Sequence, residues 1–209
     1  ENFYGLFVNG ATADIAGTIE TTAKDGYGIV VWGEEDAPFD VTVSGAVHAS
    51  GADAPAIGGN GTDRNPANKL TIVEGADISA EKDVAIFWPN EGTLTVSGGT
   101  ITSATNGIYM KAGSLNVTGG TISSTATEYE APTAMTNGSN GKGAAIVIEK
   151  NVKYGDFGKV SISGGTMKSV GDAVHAFGEG VPQQFITGGS FSNATSSGCC
   201  RACSKSASR

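Results

Sequence analysis

The sequence predicts an all-β fold: a right-handed, single-stranded parallel β-helix of about seven rungs, with three short strands per rung. Three observations predict it: a recurring phrase, a glycine pair at its centre, and side chains that alternate on either side. The phrase is LTIVEGADIS at 70–79, LTVSGGTITS at 94–103, LNVTGGTISS at 115–124, VSISGGTMKS at 160–169 and FITGGSFSN at 185–193. Looser copies are DIAGTIETT at 14–22 and VTVSGAVHAS at 41–50. With Gly45, Gly75, Gly98, Gly119, Gly164 and Gly188 as markers, the spacings are 30, 23, 21, 45 and 24 residues, which fits a unit of 21–24 residues carrying two long insertions. A period of this size marks a solenoid, whose units bury their apolar faces only against one another.

Each unit also carries a short apolar run: GIVVW at 28–32, VAIFW at 84–88, GIYMK at 107–111, AAIVI at 144–148 and AVHAF at 173–177, with YGLFV at 4–8 as the tail of a further unit. The unit therefore reads as strand, Gly-Gly bend, strand, turn, strand, turn. Glycine suits the bend because it accepts a positive φ. Three strands in so short a unit leave little room for hairpins, so each strand is expected to lie parallel to its copy in the next rung, about 4.8 Å away. A propeller blade would need about 40 residues per repeat, and a leucine-rich repeat a Leu/Asn ladder that is missing here.

Alternation with period two assigns the inside of the coil. The first strand points Val41 and Val43, Leu70 and Ile72, Leu94 and Val96, Leu115 and Val117, and Val160 and Ile162 inward. After the bend the inward residues are Ile78, Ile101, Ile122, Met167 and Phe191. In the third strand they are Ile29 and Val31, Ile86 and Trp88, Ile108 and Met110, Ile146 and Ile148, and Val174 and Ala176.

Composition narrows the function classes. The 209 residues include 32 glycines, about twice the usual share, without the three-residue period of collagen. No stretch approaches the 18 apolar residues of a membrane-spanning helix. The formal charge is −8, and Arg201, Lys205 and Arg209 all sit in the last nine residues, so the body is more acidic still. Such a body repels phosphate backbones and anionic lipid, so neither nucleic acid nor membrane insertion is expected. Residues 1–198 are read as one β-helix domain and 199–209 as a basic tail outside the repeat, disordered or appended. That tail holds Cys199, Cys200 and Cys203. Cys200 and Cys203 have CxxC spacing, but without a second pair or a nearby histidine no zinc site is expected.

The phrases VSGGTITS, VTGGTISS, ISGGTMKS and ITGGSFSN resemble the right-handed β-helix repeats of large secreted or cell-wall-anchored, adhesin-like proteins of gut Firmicutes. At fold level the chain is also similar to the pectate-lyase-like superfamily. The resemblance covers residues 1–193 and implies an extracellular, polysaccharide-related setting, with neighbouring rungs or domains of a longer parent chain. It implies no particular chemistry, because the Gly-Gly repeat is a structural corner.

The residues themselves argue against catalysis. A β-helix lyase needs a strong base beside metal-holding carboxylates, and residues 1–198 contain one arginine, Arg64, in a polar loop. A hydrolase needs carboxylates gathered on one strand face, whereas the acids fall mostly at turns. No register repetition of an acid is read, except at Asp83 with Asp172. Glu34, Glu35, Asp36 and Asp40 offer hard oxygen ligands without the spacing of a calcium loop. His48 and His175 read as surface residues. No catalytic residue, metal site or cofactor is assigned, and no lyase or glycosidase turnover is expected.

A binding face is expected instead. The outward third-strand residues, read up the stack, are Phe7, Val30, Gly58, Phe87, Tyr109, Val147 and His175, and two positions on come Trp32, Pro89, Lys111, Glu149 and Phe177. An exposed aromatic column suits sugar stacking or a protein partner, which makes Trp32, Phe87, Tyr109, Lys111, Glu149, His175 and Phe177 the candidate ligand-binding residues. On this view Phe87→Ala with Tyr109→Ala abolishes binding at a cost within about 2 kcal/mol. The alternative fate of the column is burial, with loops 58–68, 125–143 and 149–158 folded over it and Tyr129, Pro132 and Met135 as its cover. The outward Ser and Thr residues of the other two strands resemble an ice-binding array, but Asn116, Glu74 and Lys168 interrupt it. The leading function is a non-enzymatic adhesive segment that offers this face to a glycan or host protein. A polysaccharide-active lyase or glycoside hydrolase and a plain spacer are the alternatives.

Overall fold

The computed structural model describes residues 3–194. The cysteine-bearing tail lies outside them. In chain order the strands are β1 Phe3–Asn9, β2 Thr12–Ile15, β3 Thr18–Thr21, β4 Gly26–Trp32, β5 Asp40–Val43, β6 Ala46–Ala49 and β7 Ile57–Gly59. There follow β8 Lys69–Ile72, β9 Asp77–Ala80, β10 Ile86–Trp88, β11 Thr93–Val96, β12 Thr100–Ser103, β13 Ile108–Met110 and β14 Gly113–Val117. The last are β15 Thr121–Ser124, β16 Ile146–Glu149, β17 Phe157–Ile162, β18 Thr166–Ser169, β19 Val174–Phe177 and β20 Ser190–Asn193.

Every third strand joins the same sheet as far as β19, and β20 then stacks on β18. One sheet runs β2-β5-β8-β11-β14-β17, the second β3-β6-β9-β12-β15-β18-β20, and the third β1-β4-β7-β10-β13-β16-β19. All strand pairs are parallel and step one rung at a time, as in the right-handed parallel β-helix that the repeat predicts. The register stacks like on like: Leu70, Leu94 and Leu115 in the first sheet, Ile78, Ile101 and Ile122 in the second, and Ile57, Ile86, Ile108 and Ile146 in the third. These columns are wholly buried and form one continuous core. Phe39 closes on Trp88 edge-on, with ring centroids 6.0 Å apart. The core thins toward the last rung, where Phe191 is exposed and Ala176 only half-buried.

The Gly-Gly corner has a steric cause. A Cβ on the first glycine, Gly119, would collide with the carbonyl of Ser97 in the rung below. The second, Gly120, has φ +77°, and its Cβ would come 2.6 Å from the Gly98 carbonyl oxygen. Rungs can stack at strand spacing here only if the corner carries no side chain. Gly120→Ala is therefore expected to cost about 1–3 kcal/mol, more than the ordinary glycine-to-alanine effect, as measured by the urea midpoint.

Candidate functional site

Parallel pairing brings the outward third-sheet residues into one column, Phe7, Val30, Gly58, Phe87, Tyr109, Val147 and His175 in consecutive register. The expectation that this whole column faces solvent is corrected. Phe87 is 8% exposed and Tyr109 is 0% exposed, packed with Val84, Ala144 and Val147 into a second, smaller core. Residues 125–143 fold across them as a strap, with Pro132 buried and Met135 half-buried. Lys111 and Glu149, also expected at the surface, are fully buried, His175 is nearly so, and Phe177 is half-buried against the small core.

What holds the strap down is a buried polar cluster. One Glu149 carboxylate oxygen accepts from the Tyr109 hydroxyl at 2.7 Å and pairs with the Lys111 ammonium at 2.9 Å. The other accepts from the Met135 backbone N–H at 2.9 Å and from Asn151 Nδ2 at 3.1 Å. Lys111 Nζ also donates to the Met135 carbonyl at 3.0 Å, and its charge lies over the rings of Tyr109 and Tyr154. Burial disfavours the Glu149 carboxylate, but hydrogen bonds from Lys111, Tyr109, Asn151 and Met135 outweigh it and leave its pKa below the ordinary 4.5. Burial dominates at Lys111, whose pKa is lowered despite the pairing, and it raises the Tyr109 phenol together with the neighbouring Glu149 charge. A second clasp joins the strap to β19: the Tyr129 hydroxyl donates to Asp172 at 2.6 Å and lies 3.1 Å from His175 Nδ1, which itself lies 2.7 Å from Asp172.

Among the described residues, no strap reaches the first rungs and the face there stays open. Tyr4 is 40%, Phe7 46% and Trp32 37% exposed. Tyr4 stacks on Phe7 with centroids 5.6 Å apart, Tyr27 meets Tyr4 edge-on at 6.2 Å, and Trp32 meets Phe7 edge-on at 6.3 Å. Gly58 makes room for this arrangement, because a Cβ there would strike the Tyr27 ring. Of the candidate binding residues, Trp32 is therefore the one placed on an open aromatic surface.

Two cavities adjoin Trp32. The first, about 370 Å³, is lined by Tyr4, Tyr27 and Trp32 with Asp25, Asp53 and Asn60 at its polar side. The second, about 610 Å³, lies between residues 33–35 and 62–66. Its wall is locked by buried Asp63, whose carboxylate accepts from the Gly33 N–H and Asn68 Nδ2, each at 2.7 Å, and from the Asn65 N–H at 3.0 Å. Asn65 in turn donates to the carbonyls of Glu34 and Glu35. Arg64 clips loop to loop, donating to the Gly61 carbonyl at 2.8 Å and the Lys153 carbonyl at 3.2 Å.

The reading that acids do not repeat in register is also corrected. Asp25 and Asp53 each precede an aligned core isoleucine, Ile29 or Ile57, by four residues, and Asp83 precedes Ile86 by three. Asp25 and Asp53 share the same left-handed backbone, with φ of 56° and 53°, and the Asp25 N–H donates to the Ala52 carbonyl at 2.8 Å. Burial pushes the Asp83 carboxyl above its ordinary range, and the Asp53 charge adds to the shift. Burial raises the Tyr27 phenol as well, with the charges of Asp83 and Asp25 contributing. Aligning the chain on the isoleucine column, rather than on the glycines, would have found this recurrence. The register repetition read at Asp83 and Asp172 is off by one residue, since Asp83 precedes Ile86 by three residues and Asp172 precedes the aligned Val174 by two.

The remaining sequence candidates are placed as follows. His48 is half-exposed on the second sheet, with Nε2 3.2 Å from Asp77. Asp40 pairs with Lys69 at 3.3 Å, and Glu34 closes a tight turn onto Ala37. Among the described residues no three His, Cys, Asp or Glu side chains gather closely enough to hold a metal, and no helix is long and apolar enough to cross a membrane. No family model matches the chain, and neither a curated protein nor a solved structure matches it.

Proposed function

We propose that this chain is a glycan-binding, adhesive β-helix segment of an extracellular bacterial surface protein, and that it binds at the open end of the third sheet. One observation carries the reading: Trp32 stands half-exposed between two adjoining cavities, within a contiguous patch of aromatic rings. An exposed apolar patch beside concave polar walls is the usual form of a recognition site. A sugar ring laid on Trp32 has hydrogen-bonding groups on both sides, and the rigid rungs beneath keep the site preorganised. The buried strap region then has a structural role.

The direct test is titration of the protein with a panel of oligosaccharides, following tryptophan fluorescence. Trp32→Ala is expected to weaken binding at least about tenfold while changing stability by no more than about 1 kcal/mol. Binding unaffected by this substitution, or binding to none of the oligosaccharides, sinks the reading. A glycoside hydrolase is the second reading, favoured by two carboxylates in one groove, Asp25 and Asp53, with Asp83 on the next rung, its pKa raised by burial and by the Asp53 charge. Unlike environments for neighbouring carboxyl groups are what acid–base hydrolysis needs. Release of reducing ends from the same oligosaccharides separates the two readings.

A further inference from the structure

Charge decides which sugars the open end accepts. Among the described residues lining the first cavity, the charged ones are Asp25 and Asp53, and no lysine, arginine or histidine lines it. The second cavity adds Glu34 and Glu35. Its two other charged residues are already committed: Asp63 to three internal donors, Arg64 to two carbonyls. Lys24 reaches Asp53 only at 3.9 Å, with both side chains about 70% exposed (69% and 73%), a weak and displaceable contact. The groove thus joins π-faces, which attract cations over the ring, to carboxylates that accept charge-assisted hydrogen bonds from an ammonium. Uronate or sialate carboxylates would meet like charge here.

We infer that the glycan bound at Tyr4, Tyr27 and Trp32 carries protonated primary amines, as in de-N-acetylated hexosamine chains, with Asp25 and Asp53 as the ammonium acceptors. This inference rests on the glycan-binding reading and names its ligand class. An ammonium near Asp53 displaces Lys24, and one near Asp25 sits between that carboxylate and the Tyr27 ring. Both aspartates lie at left-handed backbone positions that asparagine also tolerates, so Asp→Asn variants remove charge without straining the fold.

The test compares a glucosamine tetramer, its fully N-acetylated counterpart, a galacturonate tetramer and a lysine tetrapeptide, by calorimetry on the full chain. The glucosamine tetramer is expected to bind at least about tenfold more tightly than the N-acetylated one. That preference should shrink in 0.5 M NaCl and disappear in Asp25→Asn with Asp53→Asn, while Trp32→Ala weakens every sugar. Equal or tighter Trp32-dependent binding of the N-acetylated or galacturonate tetramer overturns the amine inference and leaves the glycan reading standing. Equal binding of the lysine peptide overturns the assignment to a sugar, and binding of none of the four overturns both.

Discussion

Phe87→Ala with Tyr109→Ala is expected to cost at least about 4 kcal/mol, not the modest amount that an exposed column implies. Each buried aromatic-to-alanine change removes about 3–5 kcal/mol of packing, and the two rings are neighbours, 6.4 Å between centroids, so their effects will not simply add. The loss falls on the small core that Val84, Ala144 and Val147 share with them. Tyr109→Ala also takes a donor from Glu149. Binding at Trp32 should persist wherever the variant stays folded, because the open face stands on different rungs. A chemical-denaturation curve checks the stability claim, and a shift of less than about 1 kcal/mol would show that the strap does not cover this column.

Glu149→Ala should rank next, at about 3–5 kcal/mol. It strips the buried Lys111 ammonium of its counter-charge and leaves the Tyr109 hydroxyl and the Met135 N–H without their acceptor, while Asn151 Nδ2 keeps only the Met135 carbonyl. The damage should be local first, with faster amide exchange across residues 125–143 than in the rungs. Acid should mimic it. The folded-state pKa of Glu149 lies below its ordinary 4.5, so its contribution is complete above that ordinary value and is lost as pH falls through the folded value. Protection of the strap amides should hold from neutral pH down to that ordinary value and fall as the pH drops through the lower folded one. Unchanged strap protection in Glu149→Ala would mean that other contacts hold the segment.

The columns Leu70-Leu94-Leu115 and Ile78-Ile101-Ile122 were legible because a strand side chain has two choices, in or out, and a repeat makes the same choice each time. The same rule placed Phe87, Tyr109 and Val147 in one outward row and Lys111 beside Glu149. It could not say that the row is roofed. Roofing depends on where the 125–143 insertion lands, and that is decided by contacts outside the repeat: Met135 with Glu149, Tyr129 with Asp172 and His175. Charged residues at outward positions of adjacent central strands were the available hint, since Lys111 and Glu149 are as readily a buried pair as a surface one. The recurrence of Asp25, Asp53 and Asp83 was hidden because the segment between acid and isoleucine column shortens by one residue at Asp83. Gly58, one of the outward positions of the column, is the space that Tyr27 fills.

The protein contains two tryptophans, Trp32 on the open face and Trp88 at 0% exposure in the core. Acrylamide quenching with and without saturating glucosamine tetramer therefore reads the open end directly. Two emitting populations should appear, one quenched readily and one resistant, with the tetramer shielding the quenchable one and Trp32→Phe removing it. A single uniformly quenched population, or a quenchable tryptophan that the tetramer leaves unshielded, would contradict the account.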